Sequence, residues 1–90
     1  MTTIVRIPAT LRRFTGGREE VLAEGRTVAE LIDDLELKHR GIRDCLLDGQ
    51  VVRRFVNLYV GENDIRFLNG LDTELRSDDS LTILPGIAGG

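Results

Sequence analysis

The sequence predicts an α+β domain, a mixed β-sheet with one main helix packed on one face. Three observations lead there. Residues 28–39 form the one long segment with helical apolar periodicity. Segments of alternating apolar and polar residues stand on both sides of it. The last apolar run, Leu81-Thr82-Ile83-Leu84, is short, partly β-branched and followed by Pro85, which cannot donate to a ladder. A lone helix has one stripe to bury and a sheet needs one face covered, so the economical packing lays one on the other. The mostly apolar final run suits an interior strand.

Each element follows from its residues. Residues 2–7 alternate, with Thr3, Val5 and Ile7 on the core side and Ile4 and Arg6 opposite. Pro8 ends that strand, and Gly16-Gly17 marks a turn within a loop over 11–17. Residues 18–24 form a second strand with Val21 and Ala23 inward, so the first two strands make a hairpin. Thr27-Val28-Ala29-Glu30 is a capping box, and removing its hydroxyl costs about 1 kcal/mol. Val28, Leu31, Ile32 and Leu35 fall at i, i+3, i+4 and i+7, one apolar stripe. Lys38, His39 and Arg40 put positive charge where the helix dipole favours it, and Gly41 suits the position just past the end. Residues 42–47 form a short helical turn, Asp48-Gly49 a tight turn and Val51-Val52 a minor strand. A firm strand covers 55–60, with Val56, Leu58 and Val60 on one parity and Phe55, Asn57 and Tyr59 on the other. The chain turns over 61–64, and Ile65-Arg66-Phe67 is expected as a short edge strand. Asn69-Gly70 turns again, Leu71 and Leu75 plug the core, and residues 77–80 turn into the last strand.

Composition narrows the function classes. Ninety residues suffice for one domain. A formal charge of −3, with arginines scattered as singles and doublets, argues against nucleic acid as the partner. The longest apolar run is far short of the ~20 residues that cross a bilayer, and the N-terminus lacks a charged-then-apolar signal segment. A cytoplasmic, monomeric protein is the expectation. The single cysteine, Cys45, allows no internal disulfide and no multi-cysteine metal site; it reads as a small buried or half-buried residue. His39 has no second histidine to pair with and reads as a helix-end charge. Asp33, Asp34 and Glu36 read as a solvated helix face. Neither GxxxxGK nor GxGxxG is present. No catalytic residue and no metal ligand is assigned.

Two features remain. The strand parities place Ile4, Phe55, Tyr59 and Leu84 opposite the helix, among Arg6, Asn57 and Thr82. Apolar residues on a face that no second helix covers mark a partner surface, and Ile87 is expected to extend it. The second feature is the stretch Pro85-Gly86-Ile87-Ala88-Gly89-Gly90. It is expected as a flexible tail, residues 85–90, on a domain of residues 1–84, ending in a bare α-carboxylate. Six residues span at most roughly 20 Å, enough to thread through Pro85, Gly86, Ile87, Ala88 and Gly89 into another protein's active site.

A strand hairpin, a capped helix, further strands and a terminal Gly-Gly together resemble the ubiquitin-like β-grasp fold. More narrowly, the chain resembles the MoaD/ThiS-type prokaryotic sulfur carriers. The matching stretches are Phe55-Val56-Asn57-Leu58-Tyr59-Val60, Asp64-Ile65-Arg66-Phe67, Leu71-Asp72-Thr73 and Ile83-Leu84-Pro85-Gly86-Ile87-Ala88-Gly89-Gly90, with Pro8, Leu11-Arg12 and Thr15-Gly16-Gly17. Within that family the likeness is nearest to the branch that supplies sulfur for cysteine synthesis. The departures are Gly86 and Ile87, where the family pattern has Ala or Pro and then Val, and a shorter turn at Asp48-Gly49.

The resemblance implies a carrier and not an enzyme. It binds no cofactor of its own; ATP is used by the activating partner. An E1-like adenylating enzyme activates the Gly90 carboxylate, a sulfur donor converts it to a thiocarboxylate, and a sulfur-accepting enzyme of the cysteine synthase type takes the sulfur. Three alternatives stay open. One is the small subunit of a molybdopterin synthase, its tail inserted into the large subunit. Another is a ubiquitin-like protein modifier, mildly disfavoured because Lys38 is the only lysine. The last is a β-grasp interaction module without tail chemistry.

Overall fold

The computed structural model describes residues 2–85. Five strands form a mixed sheet in the order β2-β1-β7-β5-β6: β1 (Thr2–Arg6), β2 (Glu20–Glu24), β5 (Val56–Val60), β6 (Asn63–Asp64) and β7 (Ser80–Pro85). A separate two-strand ribbon pairs β3 (Leu47–Asp48) with β4 (Val51–Val52). Helix α1 (Val28–Lys38) and the five-residue α2 (Ile42–Leu46) complete the regular elements, with 3-10 turns at Ala9–Phe14, Ile65–Phe67 and Gly70–Asp72.

The expected alternation sets the core. Val5, Val21, Ala23, Leu58, Leu81 and Ile83 meet the α1 stripe of Val28, Leu31, Ile32 and Leu35, all buried. Complete burial of each stripe residue contributes about 1.5–3 kcal/mol. Leu75 is buried, and Leu71 packs against the cluster from the side. Strand β7 sits at the centre: β1 pairs with it in parallel and β5 antiparallel.

The Glu30 N–H donates to Thr27 Oγ1 at 3.2 Å. The return bond differs from a capping box: Glu30 Oε1 accepts from Arg26 N, one residue further back. The helix entry is stitched to the loop before β7, because Val28 N donates to Thr73 O and Leu75 N to Arg26 O. At its other end α1 stops at Lys38, since His39 leaves helical geometry at φ −137°. Gly41 takes φ +100°, and a Cβ there would lie 2.8 Å from the Phe14 ring.

Three expectations change. The edge strand is Asn63–Asp64, not Ile65-Arg66-Phe67, which is a 3-10 turn. Asp64 causes this: its carboxylate accepts from Arg66 N at 2.8 Å and turns the chain away from the sheet. Ala9–Phe14 is helical where a loop was expected. The ribbon turn is centred on Gly49-Gln50, with Asp48 paired to Val51.

Gly25 lies where β2 hands over to α1. A Cβ there would meet Leu31 N at 2.5 Å and Glu30 C at 2.8 Å, both backbone atoms of the helix. Gly25→Ala therefore lowers unfolding free energy by about 1–3 kcal/mol, read as a fall in the urea midpoint; an unchanged midpoint would contradict this close approach.

Candidate functional site

The open face of the sheet is organised by register. Glu20, Arg6, Thr82, Tyr59 and Asp64 are successive cross-strand partners, a row that crosses all five strands. The row is largely self-satisfied. Arg6 pairs with Glu20 at 3.1 Å, and Arg66 Nη2 reaches Asp64 Oδ2 at 2.6 Å and Asn57 Oδ1 at 3.0 Å. Asp64 is buried. The Arg66 guanidinium, aided by its backbone N–H, holds the Asp64 carboxyl below the usual carboxylate range against the opposing effect of desolvation.

The expected apolar residues divide around this row. Ile4, 40% exposed, lies on one side, paired with Leu22, which is 57% exposed. Leu84, 45% exposed, lies on the other, paired with Asn57. Tyr59 is half-buried in the row itself. Phe55 is exposed but precedes β5, in a turn where Arg54 sits 5.9 Å above its ring. Leu22 escaped the sequence reading, although the inward parity of Val21 and Ala23 carries the signal for it.

Beside Leu84 the last strand changes character. The β1 pairing with β7 ends at Thr82, whereas β5 continues to pair through Pro85, opposite Val56. The end of β7 is thus laddered on one side only. An open groove of about 710 Å³ runs along the other, lined by Arg6, Pro8, Arg12, Arg18 and the β7 residues Thr82, Ile83 and Leu84. The expectations for Gly86, Ile87, Ala88, Gly89 and Gly90 lie outside the described residues.

Comparison with known proteins decides the family, since the ThiS family profile matches residues 5–90. The chain belongs to the ThiS family. It is a ubiquitin-like sulfur carrier of the β-grasp fold. The sulfur carrier protein CysO of Mycobacterium tuberculosis (strain ATCC 25618 / H37Rv) is 45% identical over 93 residues, covering 100% of both chains. A chain in the crystal structure of the Amycolatopsis orientalis BexX/CysO complex superposes with a TM-score of 0.92 at 48% identity, covering 98% of this chain and 99% of that one. The solution structure of small archaeal modifier protein 1 from Methanosarcina acetivorans gives 0.85 at 26% identity, with 99% and 96% covered.

Among the described residues no three metal-ligating side chains cluster, and no helix is long and apolar enough to cross a membrane. Cys45 is half-buried beneath the end of β7.

The Asp64–Arg66 pair makes stability depend on acid. Because the folded carboxyl titrates below its ordinary value, its contribution is complete above the ordinary carboxylate pKa and is lost as pH falls through the folded value. Asp64→Asn lowers the urea midpoint at pH 7 and flattens its decline under acid; equal acid limbs for wild type and variant would contradict this.

Proposed function

We propose that Gly90 is the residue that carries the sulfur and that residues 85–90 are the tail that delivers it. The observation that carries this reading is the family match, which runs through Gly90, together with a central strand whose last residue is Pro85. An ionised α-carboxylate is nucleophilic but a poor electrophile, so it needs an E1-like partner and ATP. One carboxylate oxygen attacks the α-phosphorus and expels pyrophosphate. A sulfide equivalent then attacks the carbonyl carbon, AMP leaves with the oxygen, and Gly90 holds a thiocarboxylate. Gly89 and Gly90 lack Cβ atoms, so a narrow channel admits them. The chain is a cosubstrate of both the activating and the sulfur-accepting enzymes.

The acceptor in this reading serves cysteine synthesis, supported by full-length identity to CysO in preference to a molybdopterin synthase subunit. A monomeric cytoplasmic chain fits dependence on ATP and on transient partners. Ile4, Leu22, Tyr59 and Leu84 form the docking face. Similarity to a small archaeal modifier protein favours a second reading as a protein modifier; thiol-resistant adducts of higher mass would identify it.

Intact mass is the direct test. After incubation with the activating enzyme, ATP and a sulfur donor, the chain gains the mass difference between sulfur and oxygen. Gly90→Ala blocks this gain without changing the unfolding midpoint, and normal loading of that variant would refute the assignment. Leu84→Asp, at an exposed position, raises the KM for the carrier about tenfold, equivalent to ~1.4 kcal/mol of docking; an unchanged KM would remove Leu84 from the interface.

A further inference from the structure

Strand β2 is an edge of the sheet, with β1 as its one neighbour. The bond from Ile7 N to Glu19 O, at 2.8 Å, sets the phase of that pairing, because Ile7 and Glu19 continue the β1–β2 register. In an antiparallel pair, residues that exchange bonds alternate with residues whose backbone groups point the other way. Val21 and Ala23 therefore turn their N–H and C=O groups to β1, and Glu20, Leu22 and Glu24 turn theirs outward. Glu24 N agrees with this phase: it donates away from β1, to Asp34 Oδ2 of α1, at 2.7 Å. The outward groups of Glu20 and Leu22 meet no backbone partner among the described residues. Such a row is a template for one more strand.

The side chains along the row select the strand that fits. Leu22, 57% exposed, stands on the open face beside Ile4. Glu20 and Glu24 flank it two residues away on either side and share its face. Past Glu24, a groove of about 350 Å³ is lined by Glu30, Asp33, Asp34 and Leu37 of α1, with Arg26 as its one cation. Asp33 pairs with Arg43, Asp34 with Lys38 and Glu20 with Arg6, whereas Glu24 and Glu30 form no ion pair among the described residues. A second copy fits badly here. Two β2 strands laid antiparallel about Leu22 would set Glu20 of each opposite Glu24 of the other, and like charges directly opposite destabilise a ladder.

We propose that the β2 edge binds an extended basic segment of a partner protein as an added antiparallel strand. The segment places an apolar residue opposite Leu22 and a Lys or Arg opposite both Glu20 and Glu24. The antiparallel arrangement is the more stable per residue. Backbone bonds to Glu20 and Leu22 fix the register, and the cations answer the carboxylates that repel a second copy. Asp34 already holds Glu24 N–H, so the new ladder stops at the helix entry. This site uses no residue beyond β7 and does not rest on the sulfur-carrier reading.

The test follows backbone amides by NMR in the free full-length chain as an acetylated, amidated pentapeptide, Lys-Thr-Ile-Thr-Lys, is added. Shifts concentrate at Glu20 to Glu24, and hydrogen exchange at Leu22 N–H slows. Replacing both peptide lysines by glutamates weakens binding about tenfold. Methylating the peptide's isoleucine nitrogen, which removes the donor to Leu22 C=O, abolishes the slowed exchange. Glu24→Lys, at an exposed position, lowers affinity for the lysine peptide and raises it for the glutamate peptide, with the unfolding midpoint unchanged. An unmoved Leu22 amide, shifts confined to another surface, equal affinity for the two peptides or full binding of the methylated one overturns the proposal. So does a free chain that dimerises through Leu22, which would make a second copy the occupant.

Discussion

The central position of β7 is the constraint on which the rest depends. Its first residues are laddered on both sides, to β1 and to β5, and its inward residues Leu81 and Ile83 lie under the α1 stripe. Removing either neighbour would leave backbone groups of a buried strand unpaired, which is costly away from water. The chain that follows Pro85 therefore starts from a point fixed by hydrogen bonds and by the core together. The β1 pairing ends at Thr82 because Pro8 and the 3-10 turn of Ala9–Phe14 lead the chain away. That departure exposes one edge of β7 over its last residues.

The same arrangement ties the end of β7 to the whole fold. Strand β1 is the first of the chain and β7 the last, and their parallel pairing encloses nearly everything between them. Closing so long a loop carries an entropy cost that the pairing and the core beneath it must offset. The helix entry adds a second tie, with Val28 and Leu75 bonded across to Thr73 and Arg26. The end of β7 is therefore held in place only when α1 and the strands are all in position, and local melting of α1 would loosen it as well as the core.

Much of this was legible because period and burial agree. The α1 stripe, the inward set of β1 and β2 and the interior β7 all follow from spacing alone. What was not legible depended on single side chains acting on nearby backbone. Ile65-Arg66-Phe67 has the apolar, branched composition of a strand, but the Asp64 carboxylate captures the Arg66 N–H and leaves Phe67 86% exposed. Asp34 and Glu36 looked like solvated helix charges. In the fold Asp34 accepts from Glu24 N on the β2 strand, and Glu36 from Gly41 N and Arg43 N at the start of α2. The open face of the sheet was legible by parity, yet the division of its apolar residues was not. Register decides which residues become neighbours, and alternation within one strand fixes the face of each residue but not its partner on the next strand.

That division bears on how a carrier meets more than one enzyme. A single broad apolar patch would favour a long-lived complex or self-association. Here Ile4 and Leu22 are separated from Leu84 by the row through Arg6, Thr82 and Tyr59. The charges in that row are already paired, Arg6 with Glu20 and Arg66 with Asp64. A partner can cover the face without having to supply counter-charges, so its binding buries no unpaired ion. Each apolar area is small, and the gain from covering it must first offset the lost freedom of association. Affinity on this face alone would therefore be modest, and on the reading proposed above specificity would have to come from the residues beyond β7.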